Sequence, residues 1–331
     1  MSEIEAKVRE VGPRIHQICL PLPMRPSVVN VYLVGDGDEW ALIDTGINSD
    51  ESKGVLRAAL AAVGCPPTSV RKLLATHFHA DHFGASQACR ELTGAQLCLS
   101  APDAERVERV LAAGDRLPAE AVPFFRRHGF PLPDEPEKTL SPARVWGSLY
   151  EPALPDRLIG DGDVVHVGER EVRVVWTPGH TPGHCCFYLP RDRFLIVGDH
   201  LLPKITPHVG AYPGGPDNPL GDYIASLRKV AELEVERVLP AHGRVYRDHR
   251  YRADQIVHHH EYRKNEMLDS VRRRPKTAYE VAVDVLGPGD DRPLVHRLAA
   301  TFETLAHLRL LLYEDKVRRV EEPERVRFVA R

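Results

Sequence analysis

The chain has 331 residues, enough to bury one large core and a small second one, and its formal net charge of −3 supplies no overall attraction to nucleic acid or to anionic membrane surfaces. The N-terminal stretch MSEIEAKVREVG is charged and carries no apolar leader, and no apolar run is long enough to span a bilayer, so the chain reads as cytoplasmic with no membrane partner. Six cysteines, at 19, 65, 89, 98, 185 and 186, show no CxxC pairing and sit in apolar contexts, which points to reduced, mostly buried thiols.

In chain order, strands are predicted at Arg14 to Leu20, Val28 to Val34 and Trp40 to Ile43, followed by a helix from about Ser52 to Val63. The run Val70 to Ala75 reads as a buried strand and Phe83 to Leu92 as a helix, with Ala95 to Leu99 as the next strand. Between them lies Thr76-His77-Phe78-His79-Ala80-Asp81-His82, three imidazoles and a carboxylate in seven residues, a density that packing alone does not require. His77 and His79, two apart on an extended segment, can point the same way and suit one metal; Asp81 and His82 lie past the bend and can reach a second. Imidazole and carboxylate suit zinc and, less selectively, iron or manganese.

From Pro102 to about Asp161 the pattern changes to two short helical stretches and a proline-rich run, which reads as an insertion near the metal face. Its aromatics Phe124, Phe125, Phe130, Trp146 and Tyr150 are expected to form a small core of their own, with an acyl pocket as the alternative. Further candidate ligands then follow strands. Glu171 to Trp176 leads into Thr177-Pro178-Gly179-His180-Thr181-Pro182-Gly183-His184, Phe194 to Val197 ends in Gly198-Asp199-His200, and Val235 to Leu239 ends in Pro240-Ala241-His242-Gly243. Spacing alone does not choose between His180 and His184. Cys185 and Cys186 open the apolar strand CCFYL and are assigned to packing.

Beyond His242 the spacing becomes helical, at Tyr251 to Arg273, Ala278 to Leu286 and Pro293 to Tyr313, and the chain closes on a hairpin from Lys316 to Val320 and Arg325 to Val329. Acidic residues nearly balance basic ones in this tail despite Arg272-Arg273-Arg274, so it reads as a packing or homodimerisation module rather than a nucleic-acid binder. Of the rings in His258-His259-His260, one, with Arg263, is expected to reach the active-site mouth.

Five elements in order resemble the metallo-β-lactamase-fold hydrolases: Ile43-Asp44-Thr45-Gly46, the HxHxDH run, His184, Asp199 and His242. The resemblance covers about residues 14 to 250. It implies a four-layer αββα sandwich over residues 1–250, with the insertion at about 102–161, and a small helical, winged-helix-like C-terminal domain over 251–331. It further implies that His77, His79 and His184 hold one zinc, that Asp81, His82 and His242 hold another, and that Asp199 bridges them. Asp44 would support the metal loop from behind, and His180 would be a neighbour rather than a ligand, as would His200. The implied mechanism is attack by a hydroxide shared between the metals, with Asp81 orienting it and shuttling the proton.

The TPGHTPGH segment is similar to glyoxalase II-like thioesterases, so a small-molecule thioester or carboxylic ester is the expected substrate. RNA phosphodiester cleavage is the first alternative and a non-hydrolytic metal- or redox-binding protein the second. His200-Leu201-Leu202 after the bridging position lacks the tyrosine of the fold's lactonases, and His79 departs from the carboxylate of its flavin-linked diiron members.

Overall fold

The computed structural model describes residues 8–141, 147–287 and 292–331, so Trp146 of the predicted aromatic set lies outside the described residues. Seven strands, β1 (Val8–Gly12), β2 (Ile15–Pro21), β3 (Val28–Asp36), β4 (Glu39–Ile43), β5 (Val70–Leu74), β6 (Gln96–Ser100) and β7 (Arg157–Ile159), lie side by side in chain order, antiparallel up to β4 and parallel from there on. Five more, β8 (Val164–Val167), β9 (Arg170–Trp176), β10 (Cys185–Leu189), β11 (Phe194–Gly198) and β12 (Arg237–Pro240), form a second sheet in the order β12-β11-β10-β9-β8. Strands β13 (Val317–Glu321) and β14 (Val326–Ala330) pair as the predicted terminal hairpin.

The helices are α1 (Asp50–Val63), α2 (Ala80–Phe83), α3 (Ser86–Thr93), α4 (Ala101–Ala113), α5 (Ala121–Arg127), α6 (Pro136–Thr139), α7 (Pro219–Ala231), α8 (His249–Arg273), α9 (Ala278–Leu286) and α10 (Leu294–Tyr313).

Strand periodicity builds the layers. Along β3 the odd positions Val29, Val31 and Leu33 face one way and Tyr32 and Val34 the other, all of them buried, so this strand has protein on both faces. Tyr32, Val34, Ile43 and Leu74 meet Val165, Val174, Phe187 and Ile196 of the second sheet in the central core. The outer face of the first sheet packs on Leu56 and Leu60 of α1, Cys89 of α3 and Val107 of α4. The outer face of the second, through Cys186, Leu195 and Val238, packs on Tyr223 and Leu227 of α7, Ile256 and Met267 of α8, Val281 of α9 and Leu305 of α10, together with Phe328 of the hairpin. The result is the expected four-layer αββα sandwich, and the C-terminal helices close one of its outer layers.

Two local departures bear on the site. The helix predicted from Phe83 to Leu92 is interrupted: Ala85 sends its N–H to Gly46 O at 2.9 Å instead of back along the helix, leaving the single turn α2 to carry Asp81 and His82. Gly84 sits at this break, where a Cβ would come within 2.6 Å of the Leu149 carbonyl oxygen, so only glycine fits. The other departure is α4 and β7, which pack as parts of the sandwich, so the chain that leaves it runs between them.

Phe125 and Phe130 from this stretch do not form a core alone; they pack with Phe302 of α10 and with Phe124, Tyr212 and Tyr279. Tyr150 instead donates its hydroxyl to Phe78 O at 2.9 Å, bracing the metal loop. All six cysteines are free, five of them buried, and Cys185 and Cys186 lie within β10 as packing residues.

Candidate metal centre

The site forms where loops leave the ends of strands in both sheets. The turn after β5 supplies His77 and His79, α2 supplies Asp81 and His82, the β9–β10 loop supplies His180, the end of β11 supplies Asp199 and the end of β12 supplies His242. His77 Nε2 and His79 Nδ1 are 3.1 Å apart, and His180 Nε2 lies 3.2 Å from the first and 3.0 Å from the second. Tetrahedral zinc with bonds of about 2.0–2.1 Å sets its ligand atoms about 3.3 Å apart, so this triangle has the dimensions of one face of such a site. Asp81 Oδ2 lies 3.1 Å from His242 Nε2 and 3.5 Å from His82 Nε2, a second group of three.

Asp199 stands between the groups with its oxygens divided: Oδ2 is 3.6 Å from His180 Nε2, while Oδ1 is 3.4 Å from His242 Nε2 and 3.6 Å from His82 Nε2. Asp199 Oδ1 and His82 Nε2 are buried with no hydrogen-bond partner. Buried polar atoms are normally satisfied, so two such atoms aimed at one point fit a shared cation.

Three of these rings have their second nitrogen held from outside, which fixes their orientation. His82 Nδ1 meets Asp44 Oδ2 at 2.8 Å, His180 Nδ1 donates to His208 O at 2.7 Å and His242 Nδ1 donates to Val28 O at 3.0 Å. Asp44 also accepts from Thr76 N and Thr76 Oγ1, and its own backbone is left-handed (φ 62°), which turns its carboxylate into the metal loop.

Burial and the surrounding imidazoles push His77 well below the usual histidine range, and burial with His180 beside it takes His79 down to about 3, so both offer lone pairs. Burial acts against charge on His82 as well, but Asp81, Asp199 and Asp44 outweigh it and raise that ring well above the usual range. Asp81 and Asp199 are held below the usual carboxylate range: burial opposes this, and His82 and His242 prevail. Such mutual stabilisation of unlike charges is what a cation would take over.

One expectation is reversed. His184, assigned above to the first metal with His180 as its neighbour, does not join His77 and His79; His180 does. Both nitrogens of His184 are engaged elsewhere, Nδ1 with Thr177 Oγ1 at 2.8 Å and Nε2 with the N–H of Asp199 at 3.2 Å. The reason is the path of the loop. Thr177 N donates to His184 O at 2.8 Å, so these residues close the base of the β9–β10 loop and turn His184 inward between the strands, while His180 sits nearer the tip. His200 is buried against Tyr223 and His184, a neighbour as expected.

Of the tail groups expected near the site mouth, His260 and Arg263 are engaged elsewhere. His260 points inward, its Nδ1 3.2 Å from His307 Nε2, and Arg263 is engaged by Glu266 and the Val285 carbonyl.

Sequence reasoning missed Asp103. This fully buried carboxylate on the first turn of α4 accepts from Thr181 Oγ1 at 2.8 Å, Gly183 N at 2.7 Å and Phe78 N at 3.1 Å, tying the His77–His79 turn to the His180 loop. Burial raises its pKa to about 6, against the pull of those three bonds. Asn30 was missed as well. Its Nδ2 donates to Pro240 O and Gly243 O, both at 2.9 Å, and holds the turn that presents His242. A polar residue within the apolar strand VVNVYLV was the available signal, because a buried amide needs partners.

The model of the metallo-beta-lactamase superfamily matches residues 24–242 of the chain. The chain is 28% identical over 267 residues to lactamase-like protein vrtG of Penicillium aethiopicum, covering 80% of this chain and 68% of that one. It is 29% identical over 233 residues to acyl-coenzyme A thioesterase MBLAC2 of Gallus gallus, covering 66% and 73%. Among solved structures, a metallo-beta-lactamase family protein from Thermus thermophilus superposes with a TM-score of 0.82 at 31% identity, over 97% of this chain and 100% of the other. A beta-lactamase domain protein from Burkholderia ambifaria superposes with a TM-score of 0.83 at 27% identity, over 98% and 93%.

Proposed function

Because the chain belongs to the metallo-β-lactamase superfamily of metal-dependent hydrolases, we propose that it is a dinuclear zinc hydrolase acting on a thioester or carboxylic ester. The observation that carries the reading is the division of Asp199 between two three-residue groups of ligand atoms. His77, His79 and His180 would hold one ion and Asp81, His82 and His242 the other; manganese or iron suits the same donors. When bound, a pair of divalent ions supplies an acidified water near neutral pH and a Lewis acid for the carbonyl oxygen.

The chain's own contribution is position and proton handling. Asp44, the His208 carbonyl and the Val28 carbonyl hold His82, His180 and His242 in fixed tautomers, so no reorganisation is needed when substrate arrives. The partly exposed Asp81 carboxylate would accept a hydrogen bond from the attacking water, aim it at the carbonyl carbon and pass its proton to the departing thiolate or alkoxide.

The thioesterase among the relatives supports a thioester over other acyl compounds. In the tail, Arg272 is paired with Asp269 and Arg274 with Glu280, which speaks against a phosphate-binding face there. The test is turnover of acyl-coenzyme A and acyl-glutathione thioesters beside a single-stranded RNA by the zinc-loaded chain. Thioester hydrolysis that falls at least a hundredfold in Asp81→Ala is expected. RNA cleavage with no thioester turnover would sink the reading.

A further inference from the structure

The segment from His200 to Asn218 follows the shared carboxylate Asp199 and has no helix or strand of its own, yet Val209 and Ala211 within it are fully buried. Its fixed points lie largely on the C-terminal helices. Arg252 of α8 donates to Leu202 O at 2.7 Å and to Ile205 O at 2.9 Å. Ala211 N donates to Phe302 O of α10 at 3.0 Å, the Tyr212 ring packs on Phe302 at 4.6 Å, and Arg309 of α10 donates to Pro216 O at 2.8 Å. Between these anchors, the His208 imidazole faces Glu303 of α10, its Nδ1 3.8 Å from a carboxylate oxygen. The backbone carbonyl of that same His208 receives the Nδ1 hydrogen of His180.

We infer that α10 supports the metal centre from outside: Glu303 is a positioning residue that, through His208, sets the ring orientation of His180 and thereby the affinity of the first metal group. The inference rests on the two-metal reading above and extends it to a helix that touches neither metal group. The chemistry is that of any ligating histidine, whose second nitrogen must find a fixed acceptor before the first can present its lone pair. Here the acceptor is a loop carbonyl, and a loop carbonyl is only as fixed as its anchors. The C-terminal helices thus act on the site as a brace, in addition to covering the second sheet.

The test is metal affinity, read by titrating the metal-free chain with Co(II) against a competing chelator and following the visible absorption of the bound ion. Glu303→Gln is expected to weaken one of two bound ions by about tenfold or more and to alter its spectrum, while the control Glu321→Gln, at an exposed carboxylate of the hairpin, binds both ions as the unaltered chain does. In a double-mutant cycle, Glu303→Gln should add little to His180→Ala, because both act on the same ligand.

Two ions bound by Glu303→Gln with unaltered affinity and spectrum would overturn the positioning role alone, as would fully additive losses in the cycle. An unaltered chain that binds no metal would overturn the metal reading, and the positioning role with it. Should Glu303→Gln fail to fold, His208→Gln removes the same pair while keeping the carbonyl, with the same expectations.

Discussion

His184 follows His180 by four positions, and both close Thr-Pro-Gly-His repeats, so what distinguishes them is which atoms their nitrogens reach. His180 has one nitrogen on a carbonyl and the other toward His77 and His79; His184 has both consumed, by Thr177 and by the amide of Asp199. Their loss should therefore have different consequences. His180→Ala should bind one metal fewer at limiting zinc and lose at least a hundredfold in kcat. His184→Ala should keep two metals with affinity reduced by roughly 10–100-fold, the usual cost of removing an outer partner. Metal analysis of both variants checks this, and the opposite ranking would contradict it.

The HxHxDH run was legible because its geometry is local: a strand end and one turn decide where His77, His79, Asp81 and His82 point. The two loop histidines were not, since the path of residues 177–184 depends on Asp103, which lies about eighty positions earlier in the chain, and on the closure of the loop onto β10. Spacing carries neither.

At the scale of elements, the predicted helices of the tail and the central strands match within a few residues, because apolar spacing over ten or more positions is a strong signal. Elements not anticipated include the strands β1, β7 and β8, which are short or edge positions, the single turn α6, and α7, which opens on Pro219 after the Gly- and Pro-rich run 213–218. Such elements take their structure from their neighbours.

The α5 stretch shows the same dependence, since it packs on the tail. Gly129, at φ 79°, lies where a Cβ would come within 2.4 Å of Thr277 Oγ1, and Tyr279 N donates to His128 O at 3.1 Å. His128 itself is enclosed between Phe124 and Phe328, and burial together with Arg309, Arg127 and Arg319 lowers its pKa to about 4. A histidine whose folded pKa lies below its unfolded one contributes stability that is complete above about pH 6.5 and is lost as pH falls toward 4. The metal-free chain should therefore lose on the order of 2–3 kcal/mol more than His128→Asn between pH 7 and pH 4. Urea unfolding across that range checks the difference, and equal pH dependence in the two chains would contradict the buried neutral imidazole.

At the scale of the whole molecule, the metal centre draws on both sheets and on the segment braced by the tail. The first sheet carries His77, His79, Asp81 and His82 at the end of β5, and the second carries Asp199 and His242 on the adjacent parallel strands β11 and β12. Packing the two sheets face to face across Tyr32, Ile43, Phe187 and Ile196 brings these strand ends to one edge of the sandwich. The family and the four layers could be read from the order of motifs. The binding of Phe302, Glu303 and Arg309 to the site's flank could not, because nothing in a helical pattern says which loop it will hold.

The claim on which the rest depends is that this edge holds two ions that work together. Acyl-coenzyme A turnover followed while zinc is added stepwise to the metal-free chain tests it most directly. Activity is expected to keep rising until two equivalents per chain are bound and then to level off; full activity at one equivalent, or none at any, would contradict a cooperating pair.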